Sequence, residues 1–224
     1  NQRSKIGNNA LALARAGGHE DIVAELQKAG AQDQRSPNLA ALMNPSQLSK
    51  SGPSQYRVHV TTSAGSFTVE VERAWAPNAA DRFYNLVVHG YFDDQRFFRV
   101  IPDRLVQFGL HGVPEIAASW YDATLPDDPV QLSNKRGTLA FASGETAHSR
   151  TTQIFVNLSD NDDFDRMDLV PFGRIVQGIE TVDQIHAEYG EKPEQNRIIR
   201  EGNDYLARSF PSLDRIAEAR LSND

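Results

Sequence analysis

Apolar and polar residues alternate in several short segments of the chain. Residues 56–62 and 66–72 alternate on either side of Ser63-Ala64-Gly65, a pattern that predicts a β-hairpin. Further apolar runs bounded by Gly, Pro or Asp predict strands at residues 96–101, 105–109, 137–142, 153–158, 170–176 and 213–221. With the hairpin, the pattern predicts eight strands.

Helical spacing of apolar residues occurs between these strands. It predicts one helix that begins at Pro77 and ends at Gly90, a second that includes Ile179 and ends at Gly190, and a short third helix at residues 203–209. Strands and helices do not alternate regularly, as they would around a parallel sheet. We therefore expect a mainly β domain at residues 56–224, in which a closed eight-stranded antiparallel barrel is capped by helices.

The N-terminal part of the chain has a different pattern. Residues 1–31 contain two short stretches with helical spacing, the second of which has Ile22, Val23 and Leu26 on one apolar face. Residues 32–55 are rich in Ser, Pro and Asn and predict a linker with one short helix. The sequence thus predicts three parts, a small helical unit, a linker and the β domain.

The helical unit resembles a single ankyrin repeat, whose pattern is G-x-T-P-L-x-x-A-x-x-G-H-x-x-I-V-x-x-L-L-x-x-G-A. The residues that match it are Leu11, Ala14, Gly18-His19, Ile22-Val23, Leu26 and Gly30-Ala31. The resemblance implies a surface for a protein partner, and the polar Gln27 is typical of a repeat that caps an array. An ordinary helical hairpin is the alternative. Because one repeat buries too little surface by itself, we expect this unit and the linker through Leu48 to pack against the β domain.

Composition and charge exclude several classes of protein. The 224 residues carry 23 basic and 30 acidic side chains, a net charge of −7, without a cluster of Lys and Arg, which argues against a nucleic-acid partner. The absence of cysteine excludes disulfides, thiol nucleophiles and Cys-ligated zinc. The longest stretch without a charged residue, 36–49, contains two prolines and is too short to span a membrane. Since the chain begins at Asn1, we expect further sequence upstream, and the compartment stays open.

Motifs for several other chemistries are missing from the sequence. It has no glycine-rich phosphate-binding loop and no G-x-S-x-G nucleophile turn. Its six histidines form no i, i+4 pair, and the acidic stretch at 160–165 lacks the spacing of a calcium loop. We therefore predict neither a metal nor a cofactor.

Two neighbouring segments resemble the core of the cyclophilin family, F-H-R-[IV]-I-x-x-[FM]-[ML]-x-Q-x-G. They are Phe97-Phe98-Arg99-Val100-Ile101-Pro102 and Leu105-Val106-Gln107-Phe108-Gly109. Residues 76–87, 151–156 and 171–178 are similar to three further blocks of that family and follow its order. The resemblance covers residues 56–221 and implies an eight-stranded barrel that isomerises peptidyl-prolyl bonds without a cofactor.

The chemistry of this family needs few residues. Rotation about an Xaa-Pro bond is slow because the imide nitrogen is delocalised into the carbonyl group. At the twisted midpoint that nitrogen accepts a hydrogen bond, and arginine is a suitable donor because it is always charged. Alternation in the strand at 96–101 would place Phe97, Arg99 and Ile101 on one face.

The resemblance assigns roles to nine residues. Arg99 is the catalytic donor, and Gln107 orders Arg99 and the substrate carbonyl. The resemblance implies a proline pocket walled by Leu105, Phe155, Phe164 and Leu169, and contacts with the peptide backbone from Ala142, Ser143 and Gln153.

The sequence departs from the family at three places. Arg104 stands where a Phe usually floors the proline pocket, Phe98 replaces a His, and residues 163–166 replace a W-L-D-G turn, whose lost Trp implies weak binding of cyclosporin. Two hypotheses follow. The first is an active isomerase that acts on proline-containing polypeptides and assists folding. The second is a catalytically weak or inactive cyclophilin-shaped subunit for binding or assembly in a larger complex.

Overall fold

The computed structural model describes residues 20–28 and 38–222, which belong to two compact units divided between Asn38 and Leu39. In the first unit the described part is helix α1, Glu20–Lys28, in which Val23 is buried and Ile22 is exposed. The helical spacing predicted that Ile22 and Val23 share one apolar face. This prediction is wrong for Ile22, which is exposed. The first helix of the expected pair lies outside the described residues, and the ankyrin-like repeat stays a prediction.

The second unit contains eight antiparallel strands within residues 38–222. They are β1 Gln55–Thr62, β2 Gly65–Glu72, β3 Arg99–Ile101, β4 Leu105–Phe108, β5 Thr138–Phe141, β6 Ile154–Asn157, β7 Pro171–Gln177 and β8 Ile216–Leu221. Their order in the sheet is β3-β4-β6-β5-β7-β2-β1-β8. The eight predicted strands are confirmed, because each apolar run contributes side chains to a common core.

The sheet curls into a half-barrel and does not close, so the closed barrel that we predicted is wrong. Its edge strands, β3 and β8, are not paired along a ladder. An isolated bridge joins Arg96 to Arg215 just before these strands, and Phe97 N–H donates to Asp214 O at 3.0 Å. Beyond this point the edge of β3 is paired with a loop, since Val100 N–H donates to Gly190 O at 3.1 Å.

Residues 97 and 98 lie outside β3 and interrupt the alternation expected for this segment. Phe97 is buried in the main core, whereas Arg99 and Ile101 line a groove elsewhere on the sheet. The prediction that these three side chains share one face is therefore wrong, because regular alternation begins only at Arg99.

Helices cover the sheet at several places in the described part of the chain. They are α2 Leu39–Leu42, α3 Pro77–Val88, α4 Pro114–Tyr121, α5 Asp162–Asp165, α6 Ile179–Asp183 and α7 Gln195–Ser209, with a 3-10 turn at Pro45–Gln47. The predicted helices correspond to α3, α6 and the second half of α7, and α2 is the short helix expected before the β domain. The predicted end of the second helix at Gly190 is wrong, because α6 ends at Asp183. Helices α4 and α5 were not predicted. Pro114 at the first position of α4, followed by the buried Ile116, Ala117 and Trp120, was an available signal.

Helix α7 consists of two helical segments that meet at Gly202, which has φ 60° and ψ −148°. A Cβ on Gly202 would lie 2.1 Å from the carbonyl oxygen of Gly112, and Asn203 N–H donates to the same oxygen at 2.9 Å. Glycine is required at 202 because a side chain would collide with the backbone of the facing loop. This close contact fixes α7 against the residues that precede α4.

Strands β4, β5 and β6 are buried on both faces. One face belongs to the main core, where Phe83 of α3 packs against Phe172 of β7 with 5.1 Å between ring centroids. The other face carries a separate apolar cluster formed by Leu105, Ala140, Phe155, Phe164 and Leu169. This second cluster is the floor of a surface groove.

Residues 39–55 belong to the same compact unit as the sheet. Leu42 is fully buried, and its carbonyl oxygen accepts a hydrogen bond from Trp120 Nε1 at 2.8 Å. The domain limits at residues 31 and 55 stay predictions. No helix within residues 20–28 and 38–222 has the length and apolar character needed to cross a membrane.

Candidate active site

A row of opposed residues crosses four neighbouring strands on the groove side of the sheet. Arg99 in β3 pairs with Gln107 in β4, Gln107 pairs with Phe155 in β6, and Phe155 pairs with Ala140 in β5. Directly opposed residues point to the same face of a sheet. The strand register therefore positions a guanidinium group, an amide and an aromatic ring side by side.

Arg99, Gln107 and Gln153 form a chain of hydrogen bonds along the groove. Arg99 Nη1 donates to Gln107 Oε1 at 3.1 Å, and Gln107 Nε2 donates to Gln153 Oε1 at 2.7 Å. Gln107 is buried, so its two polar atoms need these partners. The chain fixes the orientation of the Gln107 amide and directs its oxygen to the arginine.

The guanidinium group of Arg99 has a second partner. Its Nε donates to Glu191 Oε1 at 2.6 Å, while 31% of the Arg99 side chain is exposed. Glu191 lies between α6 and α7, and the sequence analysis did not single it out. Arg99 is thus held by Gln107 and Glu191 and still lines the groove.

The apolar floor next to Arg99 is a compact pocket. Phe155 and Phe164 meet edge to face, with 5.3 Å between ring centroids, and Leu105 and Leu169 are buried with them. Leu169 N–H donates to Phe164 O at 3.2 Å, which closes the turn after α5. The side chains of these four residues contain only carbon and hydrogen. The pocket that they form therefore suits a small apolar group.

Arg104 lies at the rim of this pocket. Its Nη1 donates to Asn161 Oδ1 at 3.0 Å and to Asp163 Oδ1 at 3.1 Å, and its guanidinium carbon lies 4.2 Å from the centre of the Phe164 ring. The hydrogen bond from Arg104 holds the pKa of the Asp163 carboxyl below its usual value. The charged side chain is therefore stacked on an aromatic ring and paired with a carboxylate.

Arg82 of α3 supports the segments at the far wall of the groove. Its Nη1 donates to the carbonyl oxygens of Ala123 at 2.7 Å and Thr151 at 3.0 Å, and its guanidinium carbon lies 5.1 Å from the centre of the Trp120 ring. Burial lowers the pKa of Arg82 to about 10, so the side chain stays protonated at neutral pH. These contacts join two loops that are distant in sequence.

The nine site residues predicted from sequence all line one groove with a volume of about 1220 Å³. They are Arg99, Leu105, Gln107, Ala142, Ser143, Gln153, Phe155, Phe164 and Leu169. The sequence analysis missed other lining residues, namely Trp120, Tyr121, Thr152, Glu191, Gln195, Asn196 and Ile199. Helical spacing was a signal for Trp120, whereas no local pattern marks the residues from the α7 region. The functional roles of the nine residues stay predictions.

Residues 20–28 and 38–222 contain no group of three His, Cys, Asp or Glu side chains that could hold a metal ion. The chemistry that this groove offers is hydrogen bonding from a fixed cation next to an apolar pocket.

Comparison with known proteins identifies the family. The family model of the cyclophilin type peptidyl-prolyl cis-trans isomerases matches residues 57–203. The chain is 32% identical over 136 residues to the peptidyl-prolyl cis-trans isomerase cyp18 of Streptomyces antibioticus, a match that covers 57% of this chain and 81% of the relative. A match to the peptidyl-prolyl isomerase CWC27 of Yarrowia lipolytica, 32% identical over 137 residues, covers 58% of this chain and 35% of that protein.

Solved structures share the fold at low sequence identity. A cyclophilin type peptidyl-prolyl cis-trans isomerase of Cryptosporidium parvum is 18% identical, with a TM-score of 0.57 over 76% of this chain and 99% of that one. The cyclophilin AquaCyp293 of Hirschia baltica is 16% identical, with a TM-score of 0.53 over 76% of this chain and 75% of that one. Since the family model spans well over half of the sequence, the chain belongs to the cyclophilin family of peptidyl-prolyl cis-trans isomerases.

Proposed function

We propose that the groove binds proline-containing polypeptides and isomerises their Xaa-Pro bonds, with Arg99 as the catalytic residue. The observation that carries this proposal is the hydrogen-bonded chain of Arg99, Gln107 and Gln153 next to the apolar pocket. An Xaa-Pro segment has the two complementary groups, a compact apolar ring and a carbonyl group bonded to the imide nitrogen.

The pocket suits the pyrrolidine ring of proline for a simple reason. Proline has no backbone N–H, so its burial between Leu105, Phe155, Phe164 and Leu169 leaves no donor without a partner. Ala142, Ser143 and Gln153 lie at the same groove and supply backbone and side-chain groups for the flanking peptide. The ring and its neighbours would then be held while the residue before the proline rotates.

Arg99 supplies the step that lowers the barrier. The barrier to uncatalysed rotation about the bond is roughly 18–20 kcal/mol because the imide bond has partial double-bond character. As the bond twists, the nitrogen becomes pyramidal and accepts a hydrogen bond from the guanidinium group. The guanidinium group therefore binds the twisted state more tightly than the planar cis and trans states. Hydrogen bonds to a charged group contribute about 1.5–3 kcal/mol, which corresponds to about 10- to 100-fold in rate. No proton moves, and no covalent intermediate forms.

The test is the cis-to-trans relaxation rate of a short Xaa-Pro peptide with each protein. We expect Arg99→Ala to lose about 10- to 100-fold in kcat/KM, and Arg99→Lys to lose nearly as much because a lysine lacks the planar fork. Arg166→Ala is a matched control, since Arg166 is an exposed arginine that follows α5 and does not line the groove. Equal rates for the parent and Arg99→Ala would overturn the proposal.

A non-catalytic binding or assembly module is the second candidate. The observation that favours it is the ion pair of Arg104 and Asp163 at the pocket rim. In this case the groove would bind proline-rich segments without accelerating their isomerisation, and the ankyrin-like unit would add a protein partner. Peptide titration monitored by NMR separates the two candidates, because a module would show binding without exchange between the cis and trans signals of the peptide.

A role in protein folding follows from the first candidate. If unfolded chains are the substrates, catalytic amounts of the protein should accelerate the slow, proline-limited refolding phase of a model protein. Arg99→Ala should leave that phase at its uncatalysed rate.

A further inference from the structure

Glu191 lies in a loop whose position is set by other contacts. Val100 N–H, on the free edge of β3, donates to Gly190 O at 3.1 Å, so the loop adds a backbone partner to this edge. The ring of Tyr189 packs against Phe210, which follows α7, with 5.2 Å between centroids. The position of Glu191 is therefore fixed by the backbone and by its neighbours.

Arg99 uses two edges of its guanidinium group for protein contacts. Nε donates to Glu191 Oε1 at 2.6 Å, Nη2 lies 2.5 Å from the same oxygen, and Nη1 donates to Gln107 Oε1 at 3.1 Å. An arginine has five N–H donors, so these three contacts leave two for a ligand. Rotation of the guanidinium plane would break the contacts on both edges.

We propose that Glu191 is a positioning residue for isomerisation, which holds the guanidinium plane of Arg99 so that its remaining donors face the Xaa-Pro bond. The inference rests on the proposed function of Arg99. A long side chain with 31% of its surface exposed has several accessible orientations when only one partner holds it. Two partners on different edges select one orientation before the substrate binds, which lowers the entropy lost in the transition state.

The carboxylate also has an opposing effect, because its negative charge weakens the field of the cation at the imide nitrogen. The Glu191 side chain is 60% exposed, so water screens much of that charge. Screening does not change the direction of the hydrogen bonds. We therefore expect the gain from orientation to exceed the loss of field.

The kinetic test compares Glu191→Ala, Glu191→Gln and the control Glu188→Ala by NMR exchange on an Xaa-Pro peptide. We expect Glu191→Ala to lower kcat about fivefold with KM within about twofold of the parent. Glu191→Gln should recover most of kcat, because the amide oxygen still accepts from Arg99 Nε. Glu188 belongs to the same loop, is similarly exposed and does not line the groove, so Glu188→Ala should match the parent.

A second measurement does not depend on activity. The Nε–H signal of Arg99 in a ¹⁵N–¹H spectrum should be sharp and slow to exchange with water in the parent and in Glu191→Gln, and should broaden or disappear in Glu191→Ala. An Arg99 signal that is the same in Glu191→Ala and the parent would overturn the proposal. A kcat of Glu191→Ala equal to or above that of the parent would also overturn it, as would an equal loss in Glu188→Ala.

The two proposals fail in different ways. If Arg99→Ala matches the parent in rate, the proposed function is wrong. If Arg99→Ala is slow but Glu191→Ala is not, Arg99 remains catalytic and only the positioning role of Glu191 is wrong.

Discussion

Arg104 and Asp163 form an ion pair at the rim of the apolar pocket, with Arg104 Nη1 3.1 Å from Asp163 Oδ1. The two residues come from the turn between β3 and β4 and from α5, and the arginine also stacks on Phe164. The rim is therefore charged where the related motif usually has a Phe. This difference leads to the first prediction.

Arg104→Phe should raise kcat/KM, mainly through a lower KM, because an aromatic ring adds apolar surface next to the bound proline. We expect a gain of about 3- to 10-fold, which corresponds to the burial of a small part of one side chain. The loss of this exposed ion pair should change the free energy of unfolding little. Arg104→Gln removes the charge without adding a ring and should gain less. An unchanged or higher KM in Arg104→Phe would contradict this prediction.

Gln107→Leu should lower kcat about tenfold, because Arg99 and Gln153 both lose a partner and Arg99 is no longer held from the β4 side. Leucine has a similar volume and fits the buried site, so the free energy of unfolding should fall by only about 1–2 kcal/mol. Chemical denaturation and peptide isomerisation, measured on the same samples, separate the two effects. A variant that unfolds readily but retains full kcat when folded would show that Gln107 is purely structural.

The stability of the fold should decrease below pH 6.5 through His111. Burial lowers the pKa of His111 to about 4, and the neutral ring accepts the Val113 N–H at Nδ1, 3.0 Å away. At pH values between the ordinary pKa of histidine and the lowered pKa of the folded state, His111 binds a proton in the unfolded chain but not in the folded chain. The free energy of unfolding therefore falls as the pH falls. The full loss is on the order of 3 kcal/mol at pH 4 and below. Urea denaturation at pH values from 7 to 4 should show a smaller decrease in the free energy of unfolding for His111→Gln than for the parent. The same dependence on pH in both proteins would contradict the assignment to His111.

Substitution by alanine should destabilise the fold to different degrees at two glycines with positive φ. In Gly202→Ala the new Cβ would lie 2.1 Å from the Gly112 carbonyl oxygen, whereas nothing lies within 4 Å of a Cβ at Gly190, where φ is +55°. We expect Gly190→Ala to lose about 1–2 kcal/mol from its backbone conformation alone, and Gly202→Ala to lose more than ~3 kcal/mol. Thermal and chemical unfolding measure both. Equal losses would show that the contact between Gly112 and Gly202 adapts to a methyl group.

Hydrogen exchange tests the prediction that the N-terminal unit packs against the β domain. Amides of residues 22–26 should then exchange nearly as slowly as those of β1, because an isolated repeat of this length is unstable. Exchange at random-coil rates would show that this unit does not pack against the β domain.

Much of the fold could be predicted because its information is local. Each strand is a short apolar run that ends at Gly, Pro or Asp, and the run at 105–109 predicted β4. The place of Gln107 came from the resemblance to a family. The role of Arg99 came from a motif, since a lone arginine in a strand is usually exposed. Helix α4 was missed although its buried residues have regular helical spacing, so this error was avoidable.

The sequence by itself determined the eight strands and the places of several helices, and its resemblance to a known family indicated nine of the residues that line the groove. Only the tertiary structure decided that the sheet stays open and that Glu191 contacts Arg99, 92 positions away in the chain. The physical reason is that periodic burial leaves a pattern in neighbouring residues, whereas the site of Glu191 depends on how α7 docks. That docking rests on a backbone contact at Gly202 and on a hydrogen bond to the edge of β3, and neither contact leaves a local pattern around Glu191.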